Sequence, residues 1–501
     1  MIFFYNLPLF FTKYSKFNKS VKMEKNKFII YLRNLSPKEL TGFGKYLSRN
    51  CENQEATLAV FNYIKNFRPG YSDEKRLNID FAASKIFEKP WVSTNADNRI
   101  KLQNTLSDLF LKLKEFLIQQ KAGADSPEAH LLWLDVLLAR EQYTEANKYL
   151  EKIQSTIVTS MSAGDKYYSL KLALPYLNCY KIPGKGHLEG YKALIDCASN
   201  LEAFYAFTQL KLACEIASRR KFFAPEELTA EGGLDIALPS FDFAPSFLAA
   251  NPITNIYYQV YLLIRSEDGA HYDEAFDLLY QHAEKIDREE QLILLTYLQN
   301  YAANQLIKGE NWVSKKLHEL NLLGLLHGAF TLKGLLPVSQ YYNIIAVACQ
   351  AEEFEWAETF IEAYTIEMNP ADGMDKKFLG LGIVAFRQKE FQKALGLLDQ
   401  VQSVDIGDTI RLKPLLLACC FELGQVDTWR VYMSKAFSKQ LSREKDMRKE
   451  TIIAMKNFVR FFNTLHRGKF NKELLINEIS TSQTFLKEWL LEKANNHTDA
   501  R

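Results

Sequence analysis

The sequence predicts an all-α fold in which helical hairpins stack one after another. Apolar residues recur at helical spacing through most of the chain, and the alternating apolar and polar runs of a β-sheet are missing. The stretch from Tyr341 to Val401 contains one helical hairpin twice, and 37 positions separate Ala357 from Ala394. A repeat of this length indicates units that bury their apolar faces only against a neighbour. With 47% hydrophobic residues in a chain of 501, such a stack has enough apolar surface for a core.

Breaks in this periodicity divide the chain into segments. The clearest break lies between residues 222 and 252, where four prolines and a Gly-Gly pair interrupt the helical pattern. The predicted segments are a non-native or disordered extension (1–22), an N-terminal helical bundle (23–122), a helical-repeat subdomain (123–221), a Pro/Gly-rich linker (222–252), the stacked hairpins (253–495) and a tail (496–501).

Residues 1–22 open with an apolar run from Ile2 to Phe11. The run lacks the leading positive charge and the small-residue cleavage site of a signal peptide. We therefore expect Met23 to be the natural start of translation. Deleting residues 1–22 should leave the melting temperature nearly unchanged.

Two helix starts carry strong capping signals. Ser36-Pro37-Lys38-Glu39 combines a serine cap, a proline at the first helical position and a glutamate three residues after the serine. Ser126-Pro127-Glu128 repeats the serine and proline part of this pattern. Helices are therefore predicted to begin at Pro37 and at Pro127.

A long regular helix is predicted from about Ala96 to Gln120. Its apolar stripe consists of Leu102, Leu106, Leu109, Leu113 and Phe116. Alternating spacings of four and three are typical of a coiled-coil seam. Phe110, Leu117 and Ile118 widen the stripe, which favours a helix packed inside a bundle.

The copies of the hairpin differ in how well they match. The second copy has a Leu381-Gly382 pair, an aromatic residue at the turn (Phe391) and a small residue, Ala394, where the helices cross. The first copy has Ile344-Ile345 in place of the Leu-Gly pair, so we expect its helices to lie farther apart. A third copy has Trp429 at the crossing position, which predicts a splayed hairpin or the end of the stack.

These residues resemble the tetratricopeptide repeat. The resemblance is strongest from Tyr341 to Ala436, and weaker copies surround Trp133 to Leu150 and Tyr258 to Leu279. It implies a right-handed α-solenoid of tetratricopeptide-like helical hairpins, preceded by the N-terminal helical bundle. The chain also resembles long helical-repeat proteins of bacteria, a likeness that implies no function.

In the tetratricopeptide family, the first helices of successive hairpins line a concave groove that holds a peptide or a helix. Carried onto this sequence, the implied groove residues are Tyr342, Asn343, Gln350, Lys376, Ile383, Phe386, Arg387, Phe421 and Glu422. Gly380 stands where one subfamily has an arginine that binds a peptide carboxylate, which argues against that specificity. The equally weighted alternative is that Phe386 and Phe421 pack against a neighbouring helix. The groove interpretation requires Asn343 and Arg387 to be accessible on the concave side.

Charge favours no particular class of partner for the whole chain. Lysine and arginine number 62 against 60 acidic residues. Residues 1–50 hold ten basic residues against Glu24 and Glu39. This local excess supports an alternative hypothesis, a regulatory protein that contacts nucleic acid through its N-terminal segment.

The sequence contains no recognisable catalytic, cofactor or metal motif. No two histidines lie four apart, and no cysteine pair has the spacing of a zinc site. The seven scattered cysteines indicate buried thiols in the reducing cytoplasm. The predicted function is a non-catalytic scaffold or adaptor for a protein or peptide partner, without a cofactor and without a membrane segment; an enzyme ranks third.

Overall fold

The structure is a computed structural model, and everything said below about structure concerns the residues that it describes. These are residues 23, 26–50, 54–68, 71, 73, 76–87, 95–121, 123, 126–183, 186–220, 240–310, 312–331, 335–367, 370–402, 405–425 and 449–496. The predicted extension at 1–22, most of the predicted linker and Trp429 of the third hairpin lie outside them.

Within these residues the fold is all-α, as predicted, and an isolated parallel bridge joins Ala163 and Ile286. The helices, numbered in chain order, are α1 (Lys27–Arg33), α2 (Pro37–Asn50), α3 (Gln54–Lys65), α4 (Ile79–Ile86), α5 (Asn95–Lys121), α6 (Pro127–Ala139), α7 (Tyr143–Lys152), α8 (Asp165–Tyr180), α9 (His187–Arg220), α10 (Pro245–Ala250), α11 (Pro252–Ser266), α12 (Gly269–His282), α13 (Arg288–Ile307), α14 (Val313–Leu326), α15 (Val338–Gln350), α16 (Phe354–Glu367), α17 (Pro370–Arg387), α18 (Phe391–Leu398), α19 (Ile406–Glu422), α20 (Lys449–Arg467), α21 (Lys472–Thr481) and α22 (Lys487–Asn496). A π-helical turn (Ile153–Val158) follows α7, and a 3₁₀ turn (Ala283–Lys285) follows α12.

The chain divides into two compact units. Of the described residues, the smaller unit holds 23–159 and 173–195, and the larger unit holds 160–172 and 196–496. The division therefore falls within α8 and α9, whereas the sequence placed a boundary between 222 and 252.

In the smaller unit, α5 is the central helix of a bundle. α1, α2, α3 and α4 all pack on it, and its stripe from Leu102 to Phe116 is buried against them. This confirms that the stripe packs inside a bundle and does not form a coiled-coil seam. The stripe has no room for a second chain because the chain's own helices cover it.

Both predicted caps form. The main-chain N–H of Glu39 donates to Ser36 Oγ at 3.2 Å, and the N–H of Ser36 donates to Glu39 Oε2 at 2.7 Å. Ser126 Oγ accepts from the N–H of Ala129 at 3.0 Å. These side chains satisfy N–H groups that have no partner inside the first helical turn.

In the larger unit, the helices from α11 to α19 pack each on the next. α15 also packs on α17, and α17 on α19, so the first helices of three successive hairpins lie side by side. α15 and α16 pack less extensively than α17 and α18, as the Ile344-Ile345 pair predicts. One hydrophobic core runs through this series.

The same turn ends α6, α15, α17 and α19. Glu141, Glu352, Lys389 and Gly424 each adopt a left-handed backbone conformation, with φ of 59°, 63°, 63° and 69°. In each turn the next residue donates its N–H to a carbonyl five positions earlier, as Glu390 does to Ala385 at 2.9 Å. This bond satisfies a carbonyl at the end of the helix and reverses the chain direction.

The described end of the predicted linker, residues 240–252, packs on the larger unit. It contains α10, and the rings of Phe241 and Phe243 meet those of Tyr261 and Tyr258 edge to face, at 5.2 and 5.5 Å. Among the described helices, none combines the length and the apolar character needed to cross a bilayer.

Candidate functional site at the ends of α17 and α19

A buried charged cluster joins the three first helices. The hydroxyl of Tyr342 on α15 donates to Asp408 Oδ1 on α19 at 3.1 Å, and Lys376 Nζ on α17 donates to Asp408 Oδ2. The exposed fractions of Tyr342, Lys376 and Asp408 are 3%, 9% and 1%. Burial, and after it the charge of Asp408, raises the pKa of Tyr342 well above its usual range, so this phenol stays protonated and donates. The cluster is internal to the stack.

The prediction of an open groove along these helices needs correction. Tyr342 and Lys376 are buried and bonded to Asp408. Phe386 is 6% exposed, and its ring lies 5.7 Å from that of Phe391. Asn343, Gln350 and Ile383 are half-buried. Tyr342, Lys376 and Phe386 therefore offer no accessible side chain to a partner, whereas Asn343, Gln350 and Ile383 stay partly accessible.

The three remaining groove residues, Arg387, Phe421 and Glu422, lie together against α22. Phe421 meets the ring of Trp489 edge to face at 5.5 Å, and that of Phe462 on α20 at 5.8 Å. Trp489 is 7% exposed. A buried tryptophan held against aromatic rings is the usual anchor of a helix in a binding surface.

Glu422, at the end of α19, makes two polar contacts with α22. Its Oε1 accepts the indole N–H of Trp489 at 2.6 Å and lies 2.6 Å from Lys493 Nζ. Burial alone would lower the pKa of Lys493, but the hydrogen bond and charge of Glu422 outweigh it, and the pKa lies above its usual value. Glu422 thus fixes both the aromatic anchor and a cation one turn later.

Two ion pairs flank the anchor. Arg387 Nη1 at the end of α17 lies 2.8 Å from Glu488 Oε2, and Lys389 Nζ in the following turn lies 3.2 Å from Glu492 Oε2. The Lys389 side chain is largely exposed, and the Arg387 side chain is 32% exposed. Arg387 is therefore reachable, as expected, but it is engaged by the chain's own helix.

We call Arg387, Lys389, Phe421 and Glu422 the docking surface. It presents two cations, one aromatic ring and one carboxylate at the ends of two adjacent helices. In this structure these four groups contact one helix of the same chain, α22, through its charged residues and its tryptophan.

Sequence analysis missed the partners of these residues. Asp408 completes the buried cluster, and a similar cluster joins Lys211, Tyr257 and Glu290, in which both Lys211 Nζ (at 2.5 Å) and the Tyr257 hydroxyl donate to Glu290. For the first cluster, the available signal was Asp408 itself, an acidic residue among the apolar residues of α19. For Trp489 the signal was a tryptophan between Glu488 and Glu492 on a predicted terminal helix.

The described part of the chain brings no three His, Cys, Asp or Glu side chains together as a metal site requires. The described residues thus define an all-α protein of packed helices in which the ends of α17 and α19 hold a further helix of the same chain, α22. Comparison of the chain with protein-family models, with curated proteins and with solved structures finds no match.

Proposed function

We propose that this protein is a non-catalytic scaffold or adaptor that binds another protein through an amphipathic helix. The proposed architecture is a right-handed α-solenoid of tetratricopeptide-like hairpins. Two features support it: the turn shared by Glu141, Glu352, Lys389 and Gly424, and the side-by-side packing of α15, α17 and α19. Both are expected where one unit is repeated along a stack.

The observation that carries the binding role is the contact between the docking surface and α22. Arg387, Phe421 and Glu422 were derived from the groove positions of a repeat, and all three touch one helix. A surface that holds a helix of its own chain has the shape and charges to hold a similar helix of another protein. This supports a partner helix rather than an extended peptide.

Affinity capture with full-length baits tests the proposal. One bait carries Glu488→Arg and Glu492→Arg, which turn both flanking ion pairs into repulsions and loosen α22. A second bait adds Glu422→Arg, which removes the acceptor for the anchor. A partner of this surface is retained by the first bait and lost from the second. Identical sets of captured proteins would show that the surface binds none of them.

The proposed location is a reducing compartment such as the cytoplasm. The described cysteines are free thiols, and Cys214, Cys349, Cys419 and Cys420 are buried. Burial, the largest effect, raises the pKa of Cys349 to about 12, so this thiol is held in its unreactive form.

The nucleic-acid alternative stays a prediction. Arg33, one of its basic residues, donates to the main-chain oxygen of Tyr71 at 3.1 Å and serves packing within the bundle. Salt-sensitive retention on heparin that is lost with residues 1–50 would support the alternative.

A further inference from the structure

α22 contacts the docking surface through a tryptophan and charged residues that match the surface residue by residue. Its tryptophan lies against Phe421, and acidic residues one position before and three positions after the tryptophan pair with Arg387 and Lys389. The lysine four positions after it pairs with Glu422. Every residue of the docking surface therefore has a partner of matching chemistry on this one helix.

The contacts of α22 differ between its two sides. Towards α20 and α21 it packs along its backbone, and Leu490 and Ala494 are fully buried. Towards α17 and α19 it reaches by side chains, through Trp489 and the charged residues around it. Trp489 belongs to both sides, because its ring also stacks on Phe462 of α20 at 6.3 Å. The charged contacts with Arg387, Lys389 and Glu422 can therefore be lost while α22 keeps its packing on α20 and α21.

The two flanking ion pairs are weak enough for a partner helix to replace the α22 residues in them. Glu488 and Lys389 have side chains exposed by 66% and 68%. Exposed ion pairs are screened by water and salt, and they contribute little to stability. α22 is held mainly by its buried tryptophan and by the Glu422–Lys493 pair, whose side chains are 14% and 18% exposed. Its covalent attachment adds a high effective concentration at the surface, which a competing helix has to overcome.

From these observations we infer that α22 is a resident competitor for the docking surface. The partner it excludes is an amphipathic helix with a tryptophan, acidic residues one before and three after it, and a lysine four after it. This inference rests on the proposed function and adds the regulation and specificity of the same site. Binding of the partner requires α22 to leave.

The test uses a fluorescently labelled peptide with the sequence of residues 484–496. Fluorescence anisotropy measures how tightly this peptide binds to the unaltered full-length protein and to three full-length variants. In the protein with Glu488→Arg and Glu492→Arg, the resident helix is repelled by Arg387 and Lys389. We expect this protein to bind the peptide at least tenfold more tightly than the unaltered protein. A peptide with Trp489→Ala should bind neither of them.

The third protein, with Arg387→Glu and Lys389→Glu, is the matched control. Its own α22 is also repelled, but its surface now favours cations. It should bind a peptide with Glu488→Arg and Glu492→Arg and reject the natural peptide. All substituted residues are partly or largely exposed, and circular dichroism of each protein checks that the fold is retained.

The outcomes separate the inference from the proposed function. Equal and tight binding to the unaltered and the Glu488→Arg, Glu492→Arg proteins would keep helix binding and overturn the resident-competitor role. If no folded protein binds its matching peptide, both the inference and the proposed function fail. A Trp489→Ala protein, which removes the anchor itself, guards against incomplete release: if it too binds no better than the unaltered protein, the inference is overturned.

Discussion

Glu422 accepts the indole N–H of Trp489 at 2.6 Å, although the two residues lie 67 positions apart in sequence. This contact places the last described helix across the ends of α17 and α19. Three predicted groove residues, Arg387, Phe421 and Glu422, therefore contact a helix of the same chain. Trp489 of this helix and Phe462 of α20 together cover part of Phe421.

The crossing alanine should tolerate no large side chain. Ala394 is 0% exposed, so Ala394→Arg overpacks a helix contact and buries a charge. We expect a loss of about 3 kcal/mol or more in the free energy of unfolding. Urea denaturation measures the loss. Gln392→Arg on the exposed side of the same helix is the control and should change stability by less than about 0.5 kcal/mol.

Two glycines of one hairpin should respond oppositely to alanine. A Cβ on Gly382 would lie 2.5 Å from Leu398 Cδ2, whereas a Cβ on Gly396 would meet nothing within 4 Å. Gly382→Ala should therefore destabilise the protein by about 1–2 kcal/mol through overpacking. Gly396→Ala should stabilise it by up to about 1 kcal/mol through helix propensity. Thermal melts of the two proteins should shift in opposite directions; equal shifts would contradict the close approach at Gly382.

Removing one charge of the buried cluster should cost more than removing both. Asp408→Ala leaves the ammonium of Lys376 buried without its carboxylate, and we expect a loss of about 3–5 kcal/mol. The double substitution Asp408→Leu with Lys376→Met removes the unpaired charge and should recover much of this loss. Urea denaturation of the three proteins measures the difference. A double variant as unstable as Asp408→Ala would show that packing, and not charge, dominates there.

The contribution of Glu492 to stability should be lost in acid. Burial acts to raise its pKa, but the hydrogen bond from Lys389 and the charge of Lys493 prevail, so the pKa lies below its usual value of 4.5. A carboxyl with a lowered pKa stabilises the fold above 4.5, and this contribution disappears as the pH falls through the folded-state pKa. At pH 7, Glu492→Gln should reduce the free energy of unfolding by no more than about 1 kcal/mol because the pair is exposed. Repeating the measurement at decreasing pH below 4.5 should bring the two proteins together; a constant difference would assign the effect to packing.

Local signals in the sequence predicted local structure well. The cap at Ser36 and the buried Ala394 depend on residues within a few positions of each other, and both were predicted correctly. The stripe of α5 was correctly assigned to a bundle because Phe110 and Leu117 widen it. Each of these signals depends on residues within a few helical turns, which mark either the start of a helix or its apolar face.

The candidate site was predicted only in part. Arg387, Phe421 and Glu422 all contact α22, whereas Tyr342, Lys376 and Phe386 are buried. The repeat pattern defines the first helices, but it does not say how closely they approach. Asp408 holds Tyr342 and Lys376 in a buried cluster, and these two partners lie 66 and 32 residues away in sequence.

The sequence by itself determined that this protein is all-α and where several of its helices begin. These properties follow from the spacing of apolar residues and from capping groups, which act over one or two helical turns. Only the tertiary structure decided what covers each apolar face: α1 to α4 cover α5, and α22 covers the ends of α17 and α19. The physical reason is that burial of a surface depends on which distant segment reaches it, and hydrophobic contact is not directional enough for a local pattern to name that segment.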